Sequence, residues 1–301
     1  MDILLVTGFL GAGKTTLVAR LLAAAAERRT AVIVNEFGTL GIDGEILRGR
    51  AADIVELADG CICCALRGPL RDALEDLATA RSPDLVIVEA SGVAEPAALI
   101  DDLVDFGATL CPVTAVVDAG RIAQMLGTFG PFYRNQIAVA DTIVLNKADL
   151  VSPAILDRAE RSVRQINPRA HIHVTSHCDV ASDLLLDGPS APRDAGDGMK
   201  PHVHVPAVSL TVNLSRVVPL PALEALFATA PQAIWRAKGT INSGDGDILV
   251  QFAGGRLDLS PWSQPVHHRI VLIGPELAAL QAFENSLLTL PGIRTTPAGR
   301  T

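Results

Sequence analysis

Gly8-Phe9-Leu10-Gly11-Ala12-Gly13-Lys14-Thr15 fits the pattern G-x-x-x-x-G-K-[ST]. It stands between a short apolar run, Ile3 to Thr7, and a helical pattern from about Lys14 to Arg29. A phosphate-binding loop needs that placement. Glycines let backbone N–H groups curl around phosphate oxygens, and the helix N-terminus adds its partial positive charge. Gly8, Gly11, Ala12 and Gly13 are the expected cradle. Lys14 is placed to neutralise the β- and γ-phosphates, and the Thr15 hydroxyl to ligate Mg²⁺. The alternative, an ordinary glycine-rich strand-to-helix turn, does not account for the lysine and threonine at these offsets.

Outward from the loop, strands and helices alternate. Ala31 to Val34, Ile54 to Leu57, Leu85 to Val88, Pro112 to Val117, Thr142 to Leu145 and His171 to Val174 read as strands. Gly68 to Arg81, Pro96 to Phe106 and Pro153 to Ile166 read as helices; Leu70, Ala73, Leu74 and Leu77 share one face of the first. Uniformly apolar strands alternating with helices predict an α/β domain, a mostly parallel sheet covered on both faces, with ligands bound at the strand ends. The stretch from Asp187 through Gly198 is rich in Gly, Pro, Ser, Asp and Ala and reads as a linker. Beyond it, Val203 to Leu214 alternates apolar and polar residues. Ile234 to Lys238, Ile248 to Phe252, Arg256 to Leu259 and His268 to Ile273 are strand-like, with helices at Pro221 to Ala228 and Pro275 to Leu290. The expected organisation is a P-loop domain over 1–186, a linker over 187–200 and a smaller α+β domain with an antiparallel sheet over 201–301.

The 301-residue chain is 49% apolar and 19% charged, a globular composition, with aromatics at only 4%. Its core must therefore rest on Ala, Leu, Val and Ile. A net charge of −8 repels a phosphate backbone, so nucleic acid is not an expected partner. No uncharged apolar stretch is long enough to span a membrane, and no export segment is visible. A cytoplasmic protein is expected.

Asp84-Leu85-Val86-Ile87-Val88-Glu89 ends a buried strand in a carboxylate. Glu89 is the candidate second Mg²⁺ contact, with a helix N-terminal charge as the other reading. Ala90-Ser91-Gly92 follows and can approach a γ-phosphate. Asn146-Lys147-Ala148-Asp149 matches N-K-x-D at another strand end. The Asp149 carboxylate can accept from guanine N1–H and from its 2-amino group. Adenine has a lone pair at N1 and no such amino group, so the expected nucleotide is GTP or GDP. The Lys147 stem can pack on the base, and Asn146 can tie this loop to the phosphate loop. Thr175-Ser176, after the next strand, reads as an ordinary turn, with contact to the base as the alternative. A small-molecule kinase would prefer ATP, against Asp149.

Gly60-Cys61-Ile62-Cys63-Cys64 packs three of the five cysteines into four positions. Adjacent cysteines bridge only with strain, so this is no disulfide framework. Thiolates take Zn²⁺ and other borderline metals. Cys61 and Cys63 share a face of an extended segment, and a bend at Gly60 would let Cys64 join. Glu36, after the strand Ala31 to Val34, is a candidate fourth ligand. Buried structural cysteines or a redox thiol are the alternatives. Lone Cys111 and Cys178 read as small core residues.

Together GFLGAGKTT at 8–16, NEFG at 35–38, GCICC at 60–64, EASGVAEP at 89–96 and NKAD at 146–149 resemble the CobW-like metallochaperone GTPases. Trp235-Arg236-Ala237-Lys238-Gly239 and the terminal helix are similar to that family's C-terminal domain. The resemblance covers nearly the whole chain. It implies a GTPase that binds a transition metal, Zn²⁺ or Co²⁺, and delivers it to a client metalloprotein or cofactor pathway. By position it makes Cys61, Cys63 and Cys64 metal ligands and Glu36 a switch-linked ligand. Lys14, Thr15 and Thr16 take the phosphate and Mg²⁺ roles, and Asn146 and Asp149 the guanine role. Catalysis would involve Lys14, Thr15 and Glu89; no arginine finger is evident, so slow intrinsic turnover is expected. Thr39 stands where many members carry a second Glu. Instead of a long His-rich run between domains there are only His202 and His204, with His171, His173 and His177 upstream. A GTP-dependent switch or redox sensor without metal delivery is the rival reading.

Overall fold

The computed structural model describes residues 1–25, 28–35, 53–57, 67–188, 207–263 and 268–290. They fall into two compact units, one on each side of the stretch 189–206.

The first unit holds β1 (Asp2–Thr7), β2 (Thr30–Asn35), β3 (Asp53–Leu57), β4 (Leu85–Glu89), β5 (Thr109–Leu110), β6 (Thr114–Asp118), β7 (Thr142–Asn146) and β8 (His171–Val174). Between them run α1 (Lys14–Ala24), α2 (Arg67–Ala80), α3 (Pro96–Asp105), α4 (Ile122–Ala138) and α5 (Pro153–Ile166), with α6 (Ser182–Leu186) after β8. The strands lie in the order β3-β2-β4-β1-β6-β7-β8, with the short β5 paired to β1. Every pairing in this sheet is parallel. Period-2 geometry sends alternate residues of each strand to opposite faces. Leu4, Val6, Val32, Val34 and Ile87 pack with Leu17, Val18, Leu21 and Leu22 of α1. Ile3, Leu5, Ile33, Val86 and Val88 pack with Leu70, Leu74 and Leu77 of α2 and Leu99, Ile100 and Leu103 of α3. Both faces of the central strands are thus dry, which is why they are uniformly apolar, whereas the edge strand β8 alternates His with apolar residues and is partly exposed. Each such side chain contributes on the order of 1.5–3 kcal/mol on burial.

Three elements escape the sequence pattern: the two-residue β5, the five-residue α6, and the long α4. α4 carries Gly130 at φ 26°, ψ −105°, followed by Pro131, so two helical segments meet there at a kink. Pro131 has no N–H to continue the ladder, and Gly130 alone tolerates that backbone without a Cβ penalty. The break hides the apolar period of Ile122, Met125, Phe129, Phe132, Tyr133 and Ile137, all buried.

The second unit is an antiparallel sheet of β9 (Val208–Asn213), β10 (Arg236–Asn242), β11 (Asp247–Ala253), β12 (Arg256–Pro261) and β13 (Arg269–Gly274). Their order is β12-β11-β10-β13-β9. Helices α7 (Leu220–Ala228) and α8 (Leu277–Leu288) belong to this unit. Leu223 and Phe227 of α7 and Leu280, Phe283 and Leu287 of α8 pack on Val212, Ala237, Ile241, Val250, Phe252, Ile270 and Leu272. His268 immediately precedes β13 and holds Asp247 at 2.8 Å. Among the described residues no helix is long and apolar enough to cross a membrane.

Candidate functional site

The strand order places β1 centrally, with β4 on one side and β6 on the other. The loop leaving β1 therefore opens at the carboxyl edge of the sheet, where α/β folds bind ligands. Its glycines are used for their backbones. Gly8, Gly11 and Gly13 have φ of 133°, 74° and 119°, a region costly for residues with a Cβ. A Cβ on Gly13 would lie 2.5 Å from Asn146 Nδ2. Ala12 N–H donates to Phe9 O at 3.2 Å and closes the loop. Gly13 caps α1 with no side-chain hydrogen bond, and no acidic residue occupies the first turn of that helix. Its N-terminal amides and positive pole are arranged for an anion.

Lys14 is 5% exposed. Its Nζ donates to Gly8 O at 2.9 Å and to Phe9 O at 3.3 Å, so the ammonium is folded over the loop. Thr15 Oγ1 donates to Glu89 Oε1 at 3.0 Å. Glu89 ends β4 in register with Val6 of β1, which brings a hydroxyl and a carboxylate together 74 residues apart in sequence. Two hard oxygen donors at a phosphate loop suit Mg²⁺. Thr16, one residue on, is exposed on α1.

The second loop leaves β7. Asn146 is 2% exposed, and its amide divides its two ends between loops. Nδ2 donates to Ala12 O at 3.0 Å, while Oδ1 accepts from Cys178 N–H at 2.8 Å and Thr175 Oγ1 at 3.3 Å. Lys147 adopts φ 63°, and its Nζ donates to Gly11 O at 2.7 Å. The same ammonium pairs with Asp118 Oδ2 at 2.9 Å. Ala148 N–H donates to Thr175 O at 3.0 Å, and Asp149 lies exposed in the following 3₁₀ turn. Asn146 thus ties this loop to the phosphate loop as its sequence position suggests. Thr175 forms a turn, but one that belongs to the same network.

Three contributors carry no sequence signal strong enough to single them out. Asp118 is simply the residue opposite Asn146 in the β6–β7 register. Phe9 fills a variable position of the loop motif and is 3% exposed, packed on Phe129 at 4.5 Å and Tyr133 at 6.0 Å between ring centroids. Cys178 belongs to the core as read, yet its Sγ also lies 3.4 Å from Gly13 O. Burial pushes the Cys178 thiol up to about 12 and the Cys111 thiol up to about 11. Both sulfurs belong to the same buried core cluster, in keeping with small apolar packing.

Glu36, Cys61, Cys63 and Cys64 lie outside the described residues, as do His202, His204 and His267. Among the described residues no group of three or more His, Cys, Asp and Glu side chains could hold a metal. His171 and His173 stand on β8. Burial, with the neighbouring His171 charge adding to it, holds His173 below the usual imidazole range.

Residues 2–174 match the family described as CobW/HypB/UreG, nucleotide-binding domain. The chain belongs to this family. Residues 207–289 match the cobalamin synthesis protein CobW C-terminal domain, so both units of the CobW architecture are represented. The chain is 30% identical to the zinc chaperone YjiA of Escherichia coli, over 91% of this chain and 93% of that one. It is 32% identical to the zinc chaperone CobW of Pseudomonas aeruginosa, over 96% of this chain and 91% of that one. The crystal structure of a Zn(II)-bound triple mutant of the YjiA GTPase matches 96% of this chain and 98% of its own at a TM-score of 0.50 and 23% identity, a likeness of fold. In this CobW-family chain the phosphate loop, Glu89 and the N-K-x-D loop form one hydrogen-bonded site.

Proposed function

We propose that the chain is a GTP-binding and GTP-hydrolysing metallochaperone. It binds a transition metal, zinc foremost and cobalt as the alternative cargo, at Cys61, Cys63 and Cys64 with Glu36, and passes it to a client protein or cofactor pathway. The nucleotide-binding domain is assigned to 1–186, the linker to 187–200 and the CobW-type domain to 201–301. One observation carries the nucleotide half of this reading. The phosphate loop is fastened to the N-K-x-D loop through Asn146 and Lys147 and meets the Thr15–Glu89 pair within the same site. Relatives named zinc chaperones, aligned over nine-tenths of both chains, support the cargo.

The residues divide the work. The loop amides and Lys14 receive the β- and γ-phosphates, with Lys14 exchanging its present carbonyl partners Gly8 and Phe9 for phosphate oxygens. Thr15 and Glu89 are the residues that would hold Mg²⁺, which neutralises charge on the phosphates when bound. Asp149 selects guanine. Hydrolysis adds water to the γ-phosphorus, breaks its bond to the β–γ bridging oxygen, and yields GDP and phosphate. Glu36 and the three cysteines precede Glu89 in the chain, so a segment ordered by the γ-phosphate would set the metal ligands and relax them after cleavage.

Asp149→Ala is expected to remove at least about a hundredfold of the preference for GTP over ATP, because two charge-assisted hydrogen bonds to guanine disappear. Competition between the two nucleotides in calorimetry reads this directly; an intact preference would remove Asp149 from the base site. For the cargo, Zn²⁺ affinity is measured against a chromophoric chelator with Mg-GDP or a non-hydrolysable GTP analogue present. The wild type should bind one Zn²⁺ with an affinity that differs between the two nucleotide states. Cys63→Ser should weaken Zn²⁺ binding by more than about a hundredfold, with GDP affinity unchanged. Full Zn²⁺ affinity in Cys63→Ser would end the metallochaperone reading and leave a metal-independent switch.

A further inference from the structure

Gln136 is 1% exposed, on the far segment of the kinked α4. A fully buried glutamine must place two donors and an acceptor, and burying it unpaired is costly. Its Nε2 donates to Gly92 O at 3.2 Å and reaches Ala94 O at 3.5 Å. These carbonyls belong to a turn closed by Ala94 N–H to Ser91 O at 3.0 Å. The turn directly follows Glu89 and Ala90. It is pressed on the phosphate loop so closely that a Cβ on Gly92 would lie 2.5 Å from Leu10 N. Gln136 Oε1 and Ser91 Oγ, both buried, find no hydrogen-bond partner among the described residues. Buried polar atoms in that condition call for a partner, which a water, an ion or a bound ligand can supply.

The same helix touches the phosphate loop at a second place. Phe9 rests on Phe129, before the kink, and on Tyr133, after it. Two adjoining pieces of the nucleotide site, the loop at Phe9 and the turn at Gly92, are therefore seated on one helix with a Gly130-Pro131 joint between its halves.

We propose that Gln136 is a positioning residue for the terminal phosphate. By holding the carbonyls of Gly92 and Ala94 it fixes the orientation of the Ser91–Ala94 turn, so that the N–H groups not used to close the turn, those of Gly92 and Val93, are presented to the γ-phosphate. Through the kink, α4 then responds to GTP and not to GDP. This rests on the nucleotide reading above and extends it to a residue with no motif of its own. A glutamine that merely fills the core would support GDP and GTP equally.

Gln136→Met keeps the side-chain length and removes both donors. The affinities of wild type and variant for Mg-GDP and for a non-hydrolysable GTP analogue are measured by calorimetry, and kcat by phosphate release. GDP affinity should change by less than about twofold, while affinity for the analogue and kcat each fall about tenfold, the loss of one well-placed hydrogen-bond arrangement. Parallel weakening of both nucleotides, or no change in either, overturns the assignment. Amide hydrogen exchange of the wild type supplies a readout independent of the variant's folding. Protection over 132–138 should rise with the GTP analogue and not with GDP; equal protection in both states overturns the proposal. A wild type that binds neither nucleotide overturns the functional reading and this assignment with it. A wild type that binds both while the variant behaves identically overturns the assignment alone.

Discussion

Lys14→Ala is expected to lower affinity for both Mg-GTP and Mg-GDP by more than about a hundredfold. Lys14 is 5% exposed, and its ammonium sits over the loop, held by Gly8 O and Phe9 O. Bonds from such a cation to phosphate oxygens are worth about 1.5–3 kcal/mol each, and two of them exceed a hundredfold in binding. Lys147 also donates to the loop, at Gly11 O, but its ammonium is shared with Asp118. The variant should still fold, because the core beneath the loop, Ile3 to Val6 with Leu17 and Leu21, does not involve Lys14. Calorimetry with each nucleotide and a circular dichroism spectrum decide the matter. Wild-type GDP affinity in a folded Lys14→Ala protein would mean that the phosphates bind elsewhere.

Gly8→Ala is expected to cost more than about 3 kcal/mol of stability and to abolish nucleotide binding. Gly8 has φ 133°, and a Cβ there would stand 2.2 Å from Val116 O. That oxygen belongs to a central strand of the sheet, so no side chain can swing away to make room. The whole start of the loop must shift, taking with it the carbonyl that holds Lys14. Thermal unfolding should drop by roughly 5–10 °C. Gly127→Ala is the matched control: it lies within α4, where a Cβ would meet nothing within 4 Å. It should be neutral or stabilise by about 0.5–1 kcal/mol. Equal melting temperatures for Gly8→Ala and Gly127→Ala would contradict the close approach of Gly8 to β6.

Much of this site was readable before any coordinates. The phosphate-loop motif between an apolar run and a helical pattern, the carboxylate at the end of β4 and the N-K-x-D tetrapeptide at the end of β7 each announce themselves by residue type and strand-end position. The thiol cluster does too, although its ligand set stands as a proposal. The remaining parts of the site carry no local signal, for two reasons. α4 is broken by Gly130-Pro131, so its apolar residues never show an uninterrupted helical period, and Gln136 was concealed with it. Asp118 and Cys178 enter the site only as neighbours of other residues: one by strand register, the other by a backbone N–H.

By itself the sequence determined the kinds of element and the chemistry each could carry. Uniform apolar strands must be buried on both faces, a G-x-x-x-x-G-K-T loop must join a strand to a helix, and a carboxylate at the N-K-x-D position can discriminate between purines. Only the tertiary structure decided which strand ends meet. Thr15 and Glu89 are 74 residues apart, and Asn146 and Ala12 are 134 apart. Their contacts follow from the order β4-β1-β6-β7, and no local pattern encodes that order. The reason is physical: helical and strand periods arise from forces between residues a few positions apart. Strand order is chosen by the total burial gained when the sheet closes, against a loop-closure entropy that grows only slowly with separation.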